Sequence, residues 1–498
     1  MADERGAGTL AARIMGTRVW RSVFRHGYPE TDLDRMSAMF TNFFLHLMPA
    51  KVHPNSLRLG YTWALGMVAL FLVIILFVSG FLLMFFYIPS TDWAYTSMKD
   101  LQFAVSFGFL LRNLHRWSAH GMVGLVFLHM CRVFYTGSYR APREFNWVLG
   151  VLLWGVTLFL SFTGYLLPWD QLAYWAITVG TSIASYPPWI GETIRVLMLG
   201  GNTVAQGALL RFYVLHVAVL PAVLGLLVAI HFWRIRKDGG LSRPAGAPGA
   251  APAAGGETRG FATGPLKTYA LMEVVRGSSP MVGAQAPEEE VPSWPHLVFR
   301  LVVLFQVVLA VTMLLGVFFD APLEELANPT HPPNPAKAPW YFLGLQELVS
   351  YSALVGGVVV PGLLILGLMS IPYVDRETEG EGIWFTSARG KRVAFWSMVG
   401  TAPFTALLIF LNARLGVRTF FPESPQVVAD LVNPATLLLL GIAAFSLLVG
   451  WRTGSRRMAA IALFSCFLSA YVLLMLIGTF FRGPNWDWLW PWVAAGGH

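Results

Sequence analysis

The sequence predicts an all-α polytopic membrane protein with about nine transmembrane helices. Three observations carry that prediction. Of the 498 residues, 55% are hydrophobic and only 12% charged, a balance foreign to soluble globules. Apolar segments of membrane length recur along the whole chain,. Two of these segments carry paired histidines: His115 and His129 are 14 residues apart, and His216 and His231 are 15 apart.

Residues 1–57 are basic and polar, with Arg13, Arg18, Arg21, Arg25 and Arg35 along them. The apolar stretches are short and interrupted by arginines through Arg35, so no signal peptide is expected, and part of the segment reads as an amphipathic helix on the cytoplasmic surface. Membrane-length segments follow near 60–88, 104–134, 146–167 and 208–235. These make 58–237 the expected four-helix domain. Residues 170–207 hold Pro187, Pro188, Gly200 and Gly201 and read as short helices on the outer surface,. Residues 238–292 are rich in Gly, Ala and Pro, carry the acidic run Glu288 to Glu290, and read as a cytoplasmic linker,. Five more spans lie near 295–319, 353–373, 394–413, 433–451 and 458–481. The first three fall in a domain over 293–415, and the last two, with a tail, in 416–498.

Charge sets the orientation. Arg140, Arg143, Arg234, Arg236, Lys237, Arg389, Lys391, Arg392, Arg452, Arg456 and Arg457 fall on the side of the basic N-terminus. Positive residues stay inside, so the N-terminus is expected in the cytoplasm and the tryptophan-rich C-terminal tail outside a bacterial inner membrane. Arg414 and Arg418 are exceptions. The net charge of +8 is thereby assigned to topology, not to nucleic acid. Two cysteines, Cys131 and Cys466, cannot build a disulfide framework or a thiolate metal site, and without a CxxCH no c-type haem is attached to this chain,.

At about 100° and 1.5 Å per residue, spacings of 14 and 15 drift about 40° to 60° round a helix and rise about 21 to 23 Å. Each histidine helix thus shows two imidazoles on nearly one face, one towards each side of the membrane. A lone histidine on an apolar helix is usually a satisfied packing residue. Four in register are not, because ionisable groups inside a membrane are costly and default to function. Two helices side by side give two stacked His/His pairs, His115 with His216 and His129 with His231, and two bis-histidine haem irons are the expected occupants. Gly66 and Gly80, and again Gly150 and Gly164, repeat the 14-residue period on two other spans. Glycine clears the backbone where something bulky approaches, and small residues also let membrane helices pack closely.

His120 follows His115 by five residues, about 140° round the helix and off the shared face; it reads as packed on, or hydrogen-bonded to, a neighbouring helix. His26, His46, His53, His296, His331 and His498 have no partner at this spacing. Arg112, Arg132 and Arg211 flank the histidines, where a guanidinium could pair with a haem propionate; interfacial anchoring is the other reading, equally open for Arg132. A transporter or channel with incidental histidines is a further reading, which predicts no haem absorbance.

Four stretches, RNLHRWSA, TGSYRAPREFNWVLGV, TGYLLPWDQ and RFYVLH, carry a resemblance. Through them the chain resembles cytochrome b of the quinol:cytochrome c (or plastocyanin) oxidoreductases, nearest the chloroplast, cyanobacterial and Gram-positive branch. The resemblance covers about residues 50–415 and is strongest in the first half. In that branch the two halves are often separate polypeptides, so this chain resembles a fused form with two extra spans, for which packing or docking of another subunit are both open.

The resemblance implies transmembrane electron transfer through two non-covalent b haems, an outer low-potential and an inner high-potential one, in a proton-translocating complex. It implies a Rieske iron–sulfur protein and a c-type cytochrome as partners, quinol as substrate, and a homodimer; menaquinol and ubiquinol both remain open. It places quinol oxidation on the outer side, where Tyr165 and the Pro168–Asp170 triplet match the first part of the site. The second part is Pro-Glu-Trp-Tyr in the family. Here Ala338, Pro339, Trp340 and Tyr341 stand in its place, without the glutamate that accepts a quinol proton. Quinol oxidation releases protons and needs an acceptor within reach, so Glu347 is the first substitute, with Asp170 and His331 as others; a structural pairing of Glu347 is equally open. A cysteine that binds an extra haem in one branch is Ala64 here. A dihaem anchor exchanging electrons between quinone and another redox subunit, without bifurcation, is the competing enzyme-level reading.

Overall fold

The computed structural model describes residues 10–242, 244, 290–490 and 492, less 24–28, 30, 43, 44, 46, 47, 239 and 378. Most of the expected linker, 245–289, lies outside them, as do His26, His46 and His498. The predicted surface helix is α1, Asp32–Thr41, started by a capping box in which Thr31 and Asp34 satisfy each other's backbone N–H,.

The bundle follows as α2 (Leu65–Leu83), α3 (Ala94–Phe103), α4 (Gly108–Tyr135) and α5 (Glu144–Tyr165). Two short helices, α6 (Gln171–Ala184) and α7 (Gly191–Leu199), fill the stretch read as surface helices. Then come α8 (Gln206–Lys237) and α9 (Ser293–Phe318). A short α10 (Trp340–Tyr351) precedes α11 (Val355–Val374), α12 (Ala388–Leu415), α13 (Pro434–Thr453) and α14 (Arg456–Phe480).

Among the described residues, eight helices are long and apolar enough to cross a membrane: α2, α5, α8, α9 and α11 to α14. The ninth expected span, α4, is a 28-residue helix whose arginines and histidines lower its hydropathy below theirs. It lies along α2 and α9 and touches α5, so it crosses within their company. Its polar groups face protein, which is where a membrane tolerates them.

Prolines shape two spans. Leu215–Val219 in α8 and Val355–Val359 in α11 are π-helical turns, followed by Pro221 and Pro361. Proline lacks an N–H and its ring collides with the carbonyl four residues back, so the helix widens just ahead of it. His216 sits in the first of these turns.

Chain ends and connections are tied together. Lys51 pairs with Pro292 and Val52 with Val291 as a two-residue antiparallel ladder, bringing the lead-ins to α2 and α9 side by side. Near the same end Asp375 accepts hydrogen bonds from Tyr139 at 2.5 Å and Arg457 at 2.9 Å, all three buried. Asn433 caps α13, accepting from the Thr436 N–H at 3.0 Å. Replacing it with alanine should cost about 1 kcal/mol, measured as a lower thermal midpoint of the intact protein.

Candidate functional site

The helix period places the four imidazoles on the inner faces of α4 and α8, and the glycines of α2 and α5 meet them one to one. A Cβ built on Gly80 would lie 3.1 Å from His115 Cε1, and one on Gly66 3.1 Å from His129 Cε1. One on Gly164 would lie 2.5 Å from His216 Cε1, and one on Gly150 3.8 Å from His231 Cε1. The shared period is therefore a shared contact. Each glycine leaves the space that its own imidazole fills.

The rings of His115 and His216 lie edge-on to one another, with centroids 6.2 Å apart and planes at 78°. Two imidazoles on opposite sides of one metal, with metal–nitrogen bonds of about 2 Å, put their centroids about 6 Å apart. The centroid separation matches that of two ligands sharing one iron. Ring orientation is fixed from behind: Ser79 Oγ lies 2.9 Å from His115 Nδ1, and Thr163 Oγ1 lies 3.2 Å from His216 Nδ1. Both hydroxyl protons are already donated to carbonyls, of Ile75 and Leu160. The hydroxyl oxygens are thus free to accept from Nδ1–H, the tautomer that leaves the Nε2 lone pair for a metal. Ser79 and Thr163 went unmarked in the sequence, although each immediately precedes a glycine of the repeat.

The arginines differ in placement. Arg112 is buried and lines the cavity beside His115 and His216; its guanidinium donates to the carbonyls of Ala321 and Pro322, both at 2.6 Å. Arg132 is buried over the Tyr61 ring at 4.5 Å and donates to Ser242 at 3.1 Å. Arg211 is exposed and donates to the Gly207 carbonyl at 3.1 Å. None of the three forms a salt bridge with a carboxylate among the described residues. Two buried cations with only neutral acceptors suit an anionic group nearby.

Around His115 and His216 lies a cavity of about 330 Å³, lined also by Gly80, Gly164, Arg116 and Tyr165. A second, nearly all apolar cavity of about 270 Å³ lies between α4, α5, α10, α11, α13 and α14. Tyr341 lines both. Tyr165 and Tyr341 thus line one cavity, and Trp340 stands at the second. His120 does pack on a neighbouring helix: Trp340 Nε1 lies 2.9 Å from its Nδ1, and Arg116 Nε 2.8 Å from its Nε2.

The proposed proton acceptors do not join them. Asp170 caps α6, accepting from the N–H groups of Ala173 at 2.9 Å and Glu324 at 3.1 Å; burial raises its proton affinity,. Glu347 is fully buried and ion-paired with Arg482. His331 is exposed in the loop before α10. Among the described residues, no Asp or Glu lines either cavity. The sequence contained no sign of Arg482 as a partner, because 135 residues separate it from Glu347.

Residues 50–239 match the family profile described as Cytochrome b/b6/petB. Cytochrome b6 of Heliomicrobium gestii is 44% identical over 188 residues, 38% of this chain and 88% of its own length. The chain belongs to the cytochrome b/b6 family. Cytochrome b6 of the cyanobacterium Cyanothece is 42% identical over 177 residues, 36% of this chain and 80% of its own length. A solved chain titled "Hyperthermophilic respiratory Complex III" shares the fold at a TM-score of 0.57 and 23% identity, covering 94% of this chain and 99% of that one. The likeness in fold therefore extends past the family match into α9 to α14. As a cytochrome b the protein is a multi-pass membrane protein of electron transport that binds b-type haem.

Proposed function

We propose that this chain is the cytochrome b subunit of a quinol-oxidising, proton-translocating bc-type complex, with b haems between His115 and His216 and between His129 and His231. The observation that supports it most is the one-to-one meeting of four glycines with four imidazoles at two depths. Bound there, haem supplies one-electron carriers stacked across the membrane. The chain does the rest. Ser79 and Thr163 hold two of the rings, and Arg112 and Arg132 offer charge to propionates. Tyr165 and Tyr341 wall the cavity where a quinol ring would stand, on the side assigned to the outside by charge. The N-terminus is then cytoplasmic. A Rieske iron–sulfur protein and a c-type cytochrome are the expected acceptors, in a homodimeric complex.

Two measurements test this. The purified complex should show haem b absorbance, which an incidental-histidine transporter would lack. With an antimycin-type inhibitor at the quinone-reducing site, an oxidant pulse should transiently reduce haem b. A dihaem anchor without bifurcation is favoured by the lack of a carboxylate in either cavity, and absence of that transient would select it.

Removing the hydroxyls behind the outer pair gives a finer prediction. An Nδ1–H that loses its acceptor makes the ligand less basic, which disfavours the oxidised iron. Ser79→Ala and Thr163→Val should each raise the midpoint potential of one haem and leave the other unchanged in a redox titration. Each should also cost about 1 kcal/mol of stability.

A further inference from the structure

We propose that α14 and the turn after it form a positioning element for the Lys337–Tyr351 segment, with Arg482 as its principal residue and Glu347 as its anchor. This rests on the reading that quinol is oxidised beside Trp340 and Tyr341, and it gives the last span a task.

The segment has few ties of its own: Gln346 accepts from the Ala338 N–H at 2.8 Å and donates to the Ala336 carbonyl at 2.7 Å. Residues 319–339 before α10 contain Pro322, Pro329, Pro332, Pro333, Pro335 and Pro339 and no helix. α10 starts after Pro339 without a side-chain cap and runs only 12 residues. An isolated helix of that length is marginal.

Beside the His120–Trp340 bond from α4, the ties come from α14 and the turn after it. Lys337 Nζ donates to the Thr479 carbonyl at 2.9 Å, and Tyr471 OH donates to the Tyr341 carbonyl at 2.8 Å. Past the end of the helix, Asn334 Nδ2 donates to Asn485 Oδ1 at 2.8 Å. Backbones approach closely: a Cβ on Gly344 would lie 3.2 Å from the Tyr471 carbonyl, and one on Gly478 3.3 Å from Leu343. Small residues permit such approach between membrane helices.

Glu347 locks the arrangement. Its Oε1 accepts from Arg482 and Tyr351, both at 2.5 Å; its Oε2 accepts from Arg482 at 3.1 Å and Trp486 at 2.8 Å. Four donors fill the capacity of a carboxylate. The group has no site left for a quinol hydroxyl and no place in either cavity. A buried, fully bonded ion pair of this kind selects one geometry more than it adds stability. At its far end α14 is held as well, by Arg457 on Asp375 and by Ser455 on Glu377 at 2.6 Å. The helix is thus fixed at both ends, and α10 is fixed to it.

The test uses the whole complex carrying Arg482→Met, Arg482→Lys or Tyr471→Phe. Amide exchange across 339–351 should rise about tenfold in Arg482→Met and less in Arg482→Lys, with α5 unchanged. The KM for quinol should rise roughly tenfold with a smaller change in kcat per haem, the pattern of a disturbed binding wall. A merely structural role would lower the yield of haem-loaded complex and leave KM alone. Should Arg482→Met not assemble, Tyr471→Phe decides, since it removes one hydroxyl. Unchanged exchange and KM in the variants that assemble would overturn the proposal. Wild-type complex without quinol oxidation would sink the functional reading, and the exchange data would still decide this one.

Discussion

On the proposed pairing, His216→Leu is expected to leave one haem b per chain against two in the wild type, and to lower quinol oxidation by at least about a hundredfold, since changes behind a ligand already cost up to that. Loss of a ligand at the end where Tyr165 and Tyr341 meet interrupts the path at its entry. The other ligand, His115, stays anchored by Ser79 at 2.9 Å, so the helices should still assemble. Pyridine haemochrome analysis gives the haem count directly. His120→Leu is the matched control, five residues from His115 on the same helix but hydrogen-bonded to α10. It should keep both haems. Two haems in His216→Leu, or one in His120→Leu, would refute the pairing of the histidine columns.

What was legible in the sequence was what the helix repeats. A spacing of 14 or 15 residues returns a side chain to nearly the same face, so His115 with His129, and Gly66 with Gly80, announced their faces without a structure. Span limits followed from hydropathy: 146–167 was expected and Glu144–Tyr165 is found. His120 was placed by the same angle, off the shared face and onto a neighbour.

Contacts between distant segments carry no period. Glu347 could be read as a proton acceptor or as a structural pair because nothing near it in the chain reveals Arg482. Arg112 spends its donors on the carbonyls of Ala321 and Pro322, more than 200 residues away. The π turn that holds His216 had a local signal, Pro221. So did the hydroxyl–glycine pairs Ser79–Gly80 and Thr163–Gly164. Each is visible once the contact is known, and each is too common in membrane helices to identify beforehand.

The glycine series separates a contact from a coincidence of spacing. In Gly164→Ala the new methyl would lie 2.5 Å from His216 Cε1 and 3.0 Å from Nε2, closer than carbon atoms approach, and the ring behind it is pinned by Thr163. Ring or helix must shift, and forced overpacking of this kind costs about 1–3 kcal/mol. Gly80→Ala and Gly66→Ala meet their rings at 3.1 Å and should cost less. Gly150→Ala finds His231 at 3.8 Å, an ordinary contact. There alanine's better helix propensity, worth up to about 1 kcal/mol in a soluble helix, should leave stability unchanged or raised. Thermal loss of haem absorbance orders the four variants. In Gly164→Ala the shift should come with a changed potential for one haem only, because in the proposed pairing the ring that moves serves one iron. If Gly164→Ala and Gly150→Ala melted alike with both potentials unmoved, the glycines would be mere packing residues, and the repeat they share with the histidines would carry no function.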